Sequence, residues 1–242
     1  MLIRPGRWPQ LLARALLPSA CALCGGRCDG AVCLPCHAQF VTPATRCPRC
    51  ANPVGSADAR RECAHCLARR PAFDATLAGA DYVAPLDRLV LQLKFGGKLA
   101  LAPWFATVLR DAVIEQRGFM LPNLLCPVPL GPRRLVERGF NQELEVARPL
   151  ARALGVPLLA RLAIRARDTP AQSGVAPDQR RGNMRNAFII APHALAMVRG
   201  QHIGIVDDVM TSGHTLDALA ATFKRFGAAR VSNLVFARTP PH

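Results

Sequence analysis

The chain has 242 residues, half of them apolar, which suffices for a packed core and excludes a wholly disordered polypeptide. No apolar run reaches the roughly 18–20 residues of a membrane-spanning helix, so no membrane span is expected; Arg14 and Pro18 interrupt a leader-like start before Cys21, so a cytoplasmic location is expected. The formal net charge is +15, and all of the 31 basic residues except Lys94, Lys98 and Lys224 are arginine. A fixed charge on a forked donor suits phosphate, so phosphorylated ligands or nucleic acid fit this excess, as does arginine-favouring codon usage.

Composition shifts near Pro71. Residues 1–70 hold nine of the ten cysteines, and residues 71–242 alternate helical with strand-like segments. The expected boundary lies at 68–74, between a small cysteine-rich head and an α/β domain with a mainly parallel sheet. Residues 8–17 read as a short amphipathic helix. In the second part Thr76–Val83 reads as a strand and Pro85–Lys94 as a helix with Leu86, Leu89, Val90 and Leu93 on one face. Leu99–Gln116 is a further helix, Asn123–Val128 a buried strand, 130–140 a basic loop and 141–154 a helix. Strand-like stretches follow at 156–164 and 187–190. The last unit runs from an apolar strand, Ile203–Val206, through a polar loop at 207–214 and a helix at 215–226 to a closing strand, Val231–Ala237.

Eight of the cysteines form four Cys-x-x-Cys pairs: Cys21/Cys24, Cys33/Cys36, Cys47/Cys50 and Cys63/Cys66. Two residues between thiolates let a tight turn aim both sulfurs at one ion, and two such turns complete a tetrahedral four-cysteine zinc site. In chain order the pairs make two zinc ribbons. A crossed arrangement, first with third and second with fourth, satisfies the same spacing. Cys28 and His65 lie close by and are read as bystanders. The expected role of the zinc is structural, since a segment this short has little core of its own.

The sharpest motif is Ile203-Gly204-Ile205-Val206-Asp207-Asp208-Val209-Met210-Thr211-Ser212-Gly213-His214-Thr215. A strand ends in two acids, and a five-residue turn, Thr211–Thr215, leads into a helix. Amides at a helix start, with the hydroxyls of Thr211, Ser212 and Thr215, can surround a phosphate monoester. Gly213 permits a close backbone approach. Asp207 and Asp208 at the strand's carboxyl end can accept from vicinal ribose hydroxyls or approach Mg2+.

This string resembles the 5-phosphoribosyl 1-pyrophosphate (PRPP) signature of type I phosphoribosyltransferases. The whole chain resembles the ComF family, a double zinc ribbon joined to a phosphoribosyltransferase-like domain. The further matching pieces are Leu91-Gln92-Leu93-Lys94-Phe95-Gly96, Pro127-Val128-Pro129-Leu130, Glu137-Arg138-Gly139-Phe140-Asn141-Gln142 and the later Gln172, Arg181, Asn183 and Asn186-Ala187-Phe188. The resemblance covers residues 15–240. It implies Asp207 and Asp208 as the catalytic acids on the ribose hydroxyls, and Val209, Met210, Thr211, Ser212, Gly213, His214 and Thr215 as the PRPP loop. It also implies Mg2+ bound with PRPP and a pyrophosphate loop after Val128. Arg133, Arg134 and Arg138 are suited to that loop as forked donors, and Lys94 is a further candidate anion partner. Residues 165–185 match a mobile loop that closes over the substrate.

The function implied is a phosphoribosyltransferase-like role in natural competence, handling incoming single-stranded DNA with the competence machinery. Two alternatives keep the same residues. One is a non-catalytic PRPP or nucleic-acid sensor with the ribbon as a DNA- or protein-docking module. The other is a zinc-stapled scaffold. The sequence names no acceptor and no oligomeric state.

Overall fold

A computed structural model describes residues 19–58, 61–166 and 187–240. The 8–17 helix expectation lies outside them. The N-terminal part is built from short pieces: an antiparallel pair of strands β1 (Ser19–Ala20) and β2 (Arg27–Cys28), helix α1 (Leu34–Phe40) and helix α2 (Ala64–Ala68). Strand β3 (Ala75–Asp81), helix α3 (Leu86–Lys94) and helix α4 (Ala102–Glu115) follow. Next come strand β4 (Leu124–Pro127), helix α5 (Pro132–Arg138) and helix α6 (Gln142–Leu154). Strands β5 (Ala163–Arg165) and β6 (Phe188–Ile190) lead to β7 (His202–Met210), helix α7 (His214–Arg225) and β8 (Arg230–Arg238). Among the described residues no helix is long and apolar enough to cross a membrane.

The central sheet has the order β3-β8-β7-β4, and every neighbouring pair is parallel. Side-chain parity along its strands divides the core into two layers. Val206, Leu234 and Phe236 face a layer with Leu89 and Leu93 of α3, Phe105 and Leu109 of α4, and Val146 and Leu150 of α6. Ile203, Ile205, Val231 and Val235 face the other, with Leu216, Leu219 and Phe223 of α7 and Phe188 of β6. On the first side Phe105 stacks on Phe236 with centroids 3.7 Å apart. Gly79 lets α4 lie close on β3, since a Cβ there would meet Val108 Cγ1 at 2.6 Å. Both layers continue into the cysteine-rich part: Cys21 and Cys36 belong to the first, and Cys47, Cys50 and Cys66 to the second.

Three local expectations are corrected. The segment expected as a basic loop contains α5, started by Pro132 in its first turn and ended by Gly139 at φ +76°. A proline at the entrance and a glycine at the exit are a helix signature, and the charges between them are on an exposed surface. The stretch 156–164 is strand only at its end. Leu158 makes a single parallel bridge to Leu125, and β5 pairs antiparallel with β6 outside the central sheet. Finally, β7 does not stop at Val206. Its ladder with β8 runs on through Val209↔Ala237 to Met210↔Arg238, so the acids lie inside the strand and only Thr211–Gly213 remain as the turn.

Candidate functional site

The site begins where β7 runs out. Gly213 stands at φ +78° immediately before α7 and turns the chain into the helix. A Cβ at that position would also lie 2.6 Å from Met210 Cε, the movable tip of a side chain, so it is the positive φ that calls for glycine. Thr211 and Ser212 are exposed and Thr215 is half-buried. Among the described residues no hydrogen-bond acceptor is taken by the amides of Thr211, Ser212 or Gly213. Ser212 Oγ lies 3.0 Å from His214 Nδ1. The turn thus presents donors to solvent at the positive end of a 12-residue helix.

Beside the turn lie three buried acids. Carboxylate oxygens of Glu143, Asp207 and Asp208 all fall within 4.8 Å of one another. Asn141 caps α6 by accepting from Leu144 N–H at 3.0 Å and donates to the Val128 carbonyl at 3.1 Å, which fixes Gln142 and Glu143 beside the end of β4. Gln142 Nε2 donates to Glu143 Oε1 at 2.7 Å and reaches Asp208 Oδ2 at 3.4 Å. At the end of α3, Lys94 Nζ lies 2.9 Å from Asp208 Oδ1. Glu143 Oε2 and Gln142 Oε1 have no hydrogen-bond partner among the described residues.

Charge crowding shows in the proton affinities. Burial, and then the charge of Asp208, push Asp207 up to about 7. Burial and both aspartates push Glu143 well above the usual carboxylate range. Burial works against the charge on Lys94, but Asp208 foremost, then Asp207 and Glu143, raise its pKa. Lys94 therefore remains an ammonium, seated against Asp208 among these acids.

The expected residues do not all converge. Asp207, Asp208 and Lys94 meet, and the Thr211–Thr215 turn adjoins them. Arg133, Arg134 and Arg138 ride on α5; Arg133 is exposed, and the Arg138 guanidinium stacks on the exposed Phe95 ring at 4.9 Å. Arg165 is buried in β5 over Phe188. The rest of the expected closing loop, from 167 to 185, lies outside the described residues. No sequence motif singles out Glu143. Its signal was the asparagine cap, which places the next two residues at the mouth of the sheet.

The cysteines assemble in chain order. Cys21, Cys24, Cys33 and Cys36 form one group and Cys47, Cys50, Cys63 and Cys66 another, each with sulfurs within 4.8 Å. Cys24 and Cys33 sulfurs are 3.7 Å apart and Cys50 and Cys63 sulfurs 3.6 Å apart. Four thiolates around zinc at ~2.3 Å are separated by about 3.8 Å, so both donor sets fit that ion. The Cys21 sulfur accepts from Leu23 and Cys33 N–H, and the Cys47 sulfur from Cys63 N–H. Burial opposes it, but backbone donors bring the Cys21 thiol down to about 6, and the neighbouring Cys50 thiol brings Cys47 down to about 4. Cys28 instead donates to the Gly30 carbonyl at 2.9 Å, and neither it nor His65 joins a group.

The chain is similar to known proteins along most of its length. Residues 144–241 match the family described as Phosphoribosyl transferase domain. The DNA utilization protein YhgH of Escherichia coli K12 is 34% identical over 211 residues, covering 86% of this chain and 90% of its own. Competence protein F of Haemophilus influenzae is 29% identical over 178 residues, covering 71% and 76%. Among solved structures, the B. subtilis glutamine PRPP amidotransferase complexed with ADP and GMP aligns with a TM-score of 0.37 and 17% identity, over 56% of this chain and 26% of that one. A paired four-cysteine head, a parallel sheet and this extent of identity place the chain in the family of YhgH and Competence protein F, the ComF family.

Proposed function

We propose that this protein binds PRPP with Mg2+ and acts in the handling of incoming single-stranded DNA during natural competence. The observation that carries this reading is the turn at the start of α7, exposed at Thr211 and Ser212 and set two residues after the buried pair Asp207–Asp208. The turn suits a 5-phosphate: the amides of Thr211 and Ser212 and the Thr211 hydroxyl are donors at the positive end of a helix, where an anion is favoured. The aspartates suit the ribose hydroxyls. Arg133, Arg134 and Arg138, on the helix that follows β4, are the candidate pyrophosphate partners. Glu143, Asp207 and Asp208 form a hard oxygen donor set with one buried oxygen unpartnered, which fits Mg2+. When bound, that ion would neutralise pyrophosphate charge. We assign two structural zinc ions to the four-cysteine groups, and residues 1–70 and 71–242 as the two domains.

Transfer from PRPP needs no protein nucleophile. Positioning of C1 and the negative field of the acids under the ribose are what this chain can supply. One observation favours a binding role without turnover: Lys94 already neutralises Asp208, which weakens the field available to a developing ribose cation. Among the described residues of the head, Arg27, Arg61 and Arg69 are exposed and can face a polynucleotide, whereas Arg46 pairs with Asp81 and both Arg49 and Arg70 with Glu62.

Titration calorimetry with PRPP and Mg2+ tests the reading. Binding in the micromolar range is expected with the intact protein and none with Asp207→Ala/Asp208→Ala. No heat with the intact protein refutes it. Pyrophosphate release on adding candidate bases then separates transferase from sensor. Binding of single-stranded DNA that does not weaken with salt would remove the electrostatic role of the arginines.

A further inference from the structure

The second four-cysteine group and the Thr211–Thr215 turn share one residue that sequence patterning does not single out. Arg238 closes β8 and is 7% exposed. Its Nε donates to the Cys50 carbonyl at 3.0 Å. Its Nη1 donates to the carbonyls of Met210 at 2.8 Å, Thr211 at 2.5 Å and Thr239 at 2.7 Å. Cys50 belongs to the turn that supplies two of the group's four sulfurs. Met210 and Thr211 are the residues with which β7 enters the phosphate-type turn.

The consequence follows from peptide geometry. In a trans peptide the C=O and the next N–H point in opposite directions. The Met210 carbonyl shares its peptide with Thr211 N–H, and the Thr211 carbonyl shares its peptide with Ser212 N–H. Holding both carbonyls on one guanidinium therefore aims both amides away from Arg238. These are amides left without an acceptor among the described residues.

The metal-binding turn is in turn fixed to the α/β part. Arg49, between Cys47 and Cys50, donates to Glu62 at 2.8 Å and to the Phe73 carbonyl at 2.6 Å. Thr76 N–H donates to the Pro48 carbonyl at 3.1 Å. Between the cysteine group and the phosphate turn lies a cavity of about 330 Å³, walled by His65, Arg69 and Arg70 on one side and Ser212, Gly213 and His214 on the other. The two parts share the second core layer through Cys47, Cys50 and Cys66, and beside the cavity Arg238 adds the hydrogen bonds that join the 47–50 turn to the phosphate turn. The first cysteine group meets the α/β part elsewhere, where Trp104 Nε1 donates to His37 Nδ1 at 3.2 Å.

We propose that Arg238 is a positioning residue that links metal retention by Cys47, Cys50, Cys63 and Cys66 to sugar-phosphate binding at the Thr211–Thr215 turn. The inference rests on the PRPP reading of that turn. With metal in place, the 47–50 turn holds the Cys50 carbonyl where Arg238 can bridge it to the phosphate turn. Without it, the bridge loses one end. Linkage is reciprocal, so a phosphate on the turn must stabilise the metal in the second group and not in the first.

The test uses the full-length zinc-loaded chain and ribose 5-phosphate, a probe that needs no added metal. Cysteine alkylation under a zinc chelator is followed peptide by peptide by mass spectrometry. Saturating ribose 5-phosphate is expected to slow labelling of Cys47, Cys50, Cys63 and Cys66 about fivefold or more, the lower end of ordinary coupling between sites. Labelling of Cys21, Cys24, Cys33 and Cys36 should not change. In Arg238→Met the selective protection disappears and ribose 5-phosphate binds at least about tenfold more weakly, while Mg2+–pyrophosphate affinity is kept; a general loss of structure would lower both. Equal protection of the two groups overturns the linkage. So does ribose 5-phosphate that binds by calorimetry yet protects neither, or an Arg238→Met protein that binds it as wild type. If ribose 5-phosphate and PRPP both fail to bind the wild-type chain, the PRPP reading falls with it. If Arg238→Met does not fold, the wild-type labelling pattern still tests the linkage, and Arg238→Lys, which keeps the charge but not the fork of donors, tests the residue: wild-type protection in it overturns the assignment to Arg238.

Discussion

Replacing Lys94 with methionine keeps the length of the side chain and removes its charge. In the native chain Lys94 Nζ lies 2.9 Å from Asp208 Oδ1, with the two side chains 22% and 3% exposed. At an effective dielectric of ~20 the attraction at that distance is roughly 6 kcal/mol, offset in the intact pair by the cost of desolvating both groups. Removing the lysine alone forfeits the attraction and leaves Asp208 buried beside Asp207 and Glu143. Breaking a buried pair from one side costs about 3–5 kcal/mol, and the partial exposure of Lys94 places the expectation near about 3 kcal/mol. For a chain of this size that is a fall of roughly 6–12 °C in Tm. Urea unfolding of Lys94→Met, Asp208→Asn and the double variant forms a closed cycle. The double variant should lose no more than about 1 kcal/mol beyond Asp208→Asn, because the lysine then has no charge to answer. A loss below about 1 kcal/mol in the wild-type background would refute the reasoning. Equal losses in both backgrounds would refute it too, by showing that Lys94 acts through packing of its methylenes.

The other expectations concern the frame around the site. Burial, and then the charge of Arg230, hold the His202 imidazole below its ordinary pKa, with Nε2 2.8 Å from Ser232 Oγ. The unfolded chain therefore takes up this proton at higher pH than the folded one, so stability is lost as pH falls from about 6.5 toward the lower folded value. Urea unfolding between pH 8 and 5 should show a steeper decline for wild type than for His202→Gln, and parallel curves would remove His202 as the cause. Gly204 in β7 has no room for a methyl: a Cβ would stand 2.6 Å from Leu125 Cδ2 and from Pro122 Cγ. Gly204→Ala should lower stability by about 1–3 kcal/mol, read from the urea midpoint, and a wild-type midpoint would show that the β4–β7 contact yields more easily than its geometry suggests.

The legible parts of the chain are those whose chemistry is local. The Cys-x-x-Cys turns are readable because two residues between thiolates suffice to aim both at one ion. Their grouping was not, since spacing allows either order; chain contacts gather Cys47, Cys50, Cys63 and Cys66 in the second core layer. The turn after β7 announces itself by hydroxyls, a glycine and a following amphipathic helix. The length of β7 does not, because Asp207 and Asp208 break the apolar pattern while the β8 ladder keeps the backbone extended. The proline and glycine of α5 mark helix ends in the sequence, whereas the arginines between them carry the polarity of a loop.

On its own, the order of residues settled the metal-binding pairs, the helix-initiating turn and the alternation of helix and strand, since each depends on neighbours within a few positions. Folding decided the rest. The order β3-β8-β7-β4 sets the end of β8 beside the end of β7, and with it Arg238 against Met210. Packing of α3 and α6 on one face brings Lys94 and Glu143 to Asp208. Those meetings join residues far apart along the chain, and no periodicity or spacing encodes them, because they exist only once the strands have paired and the helices have packed.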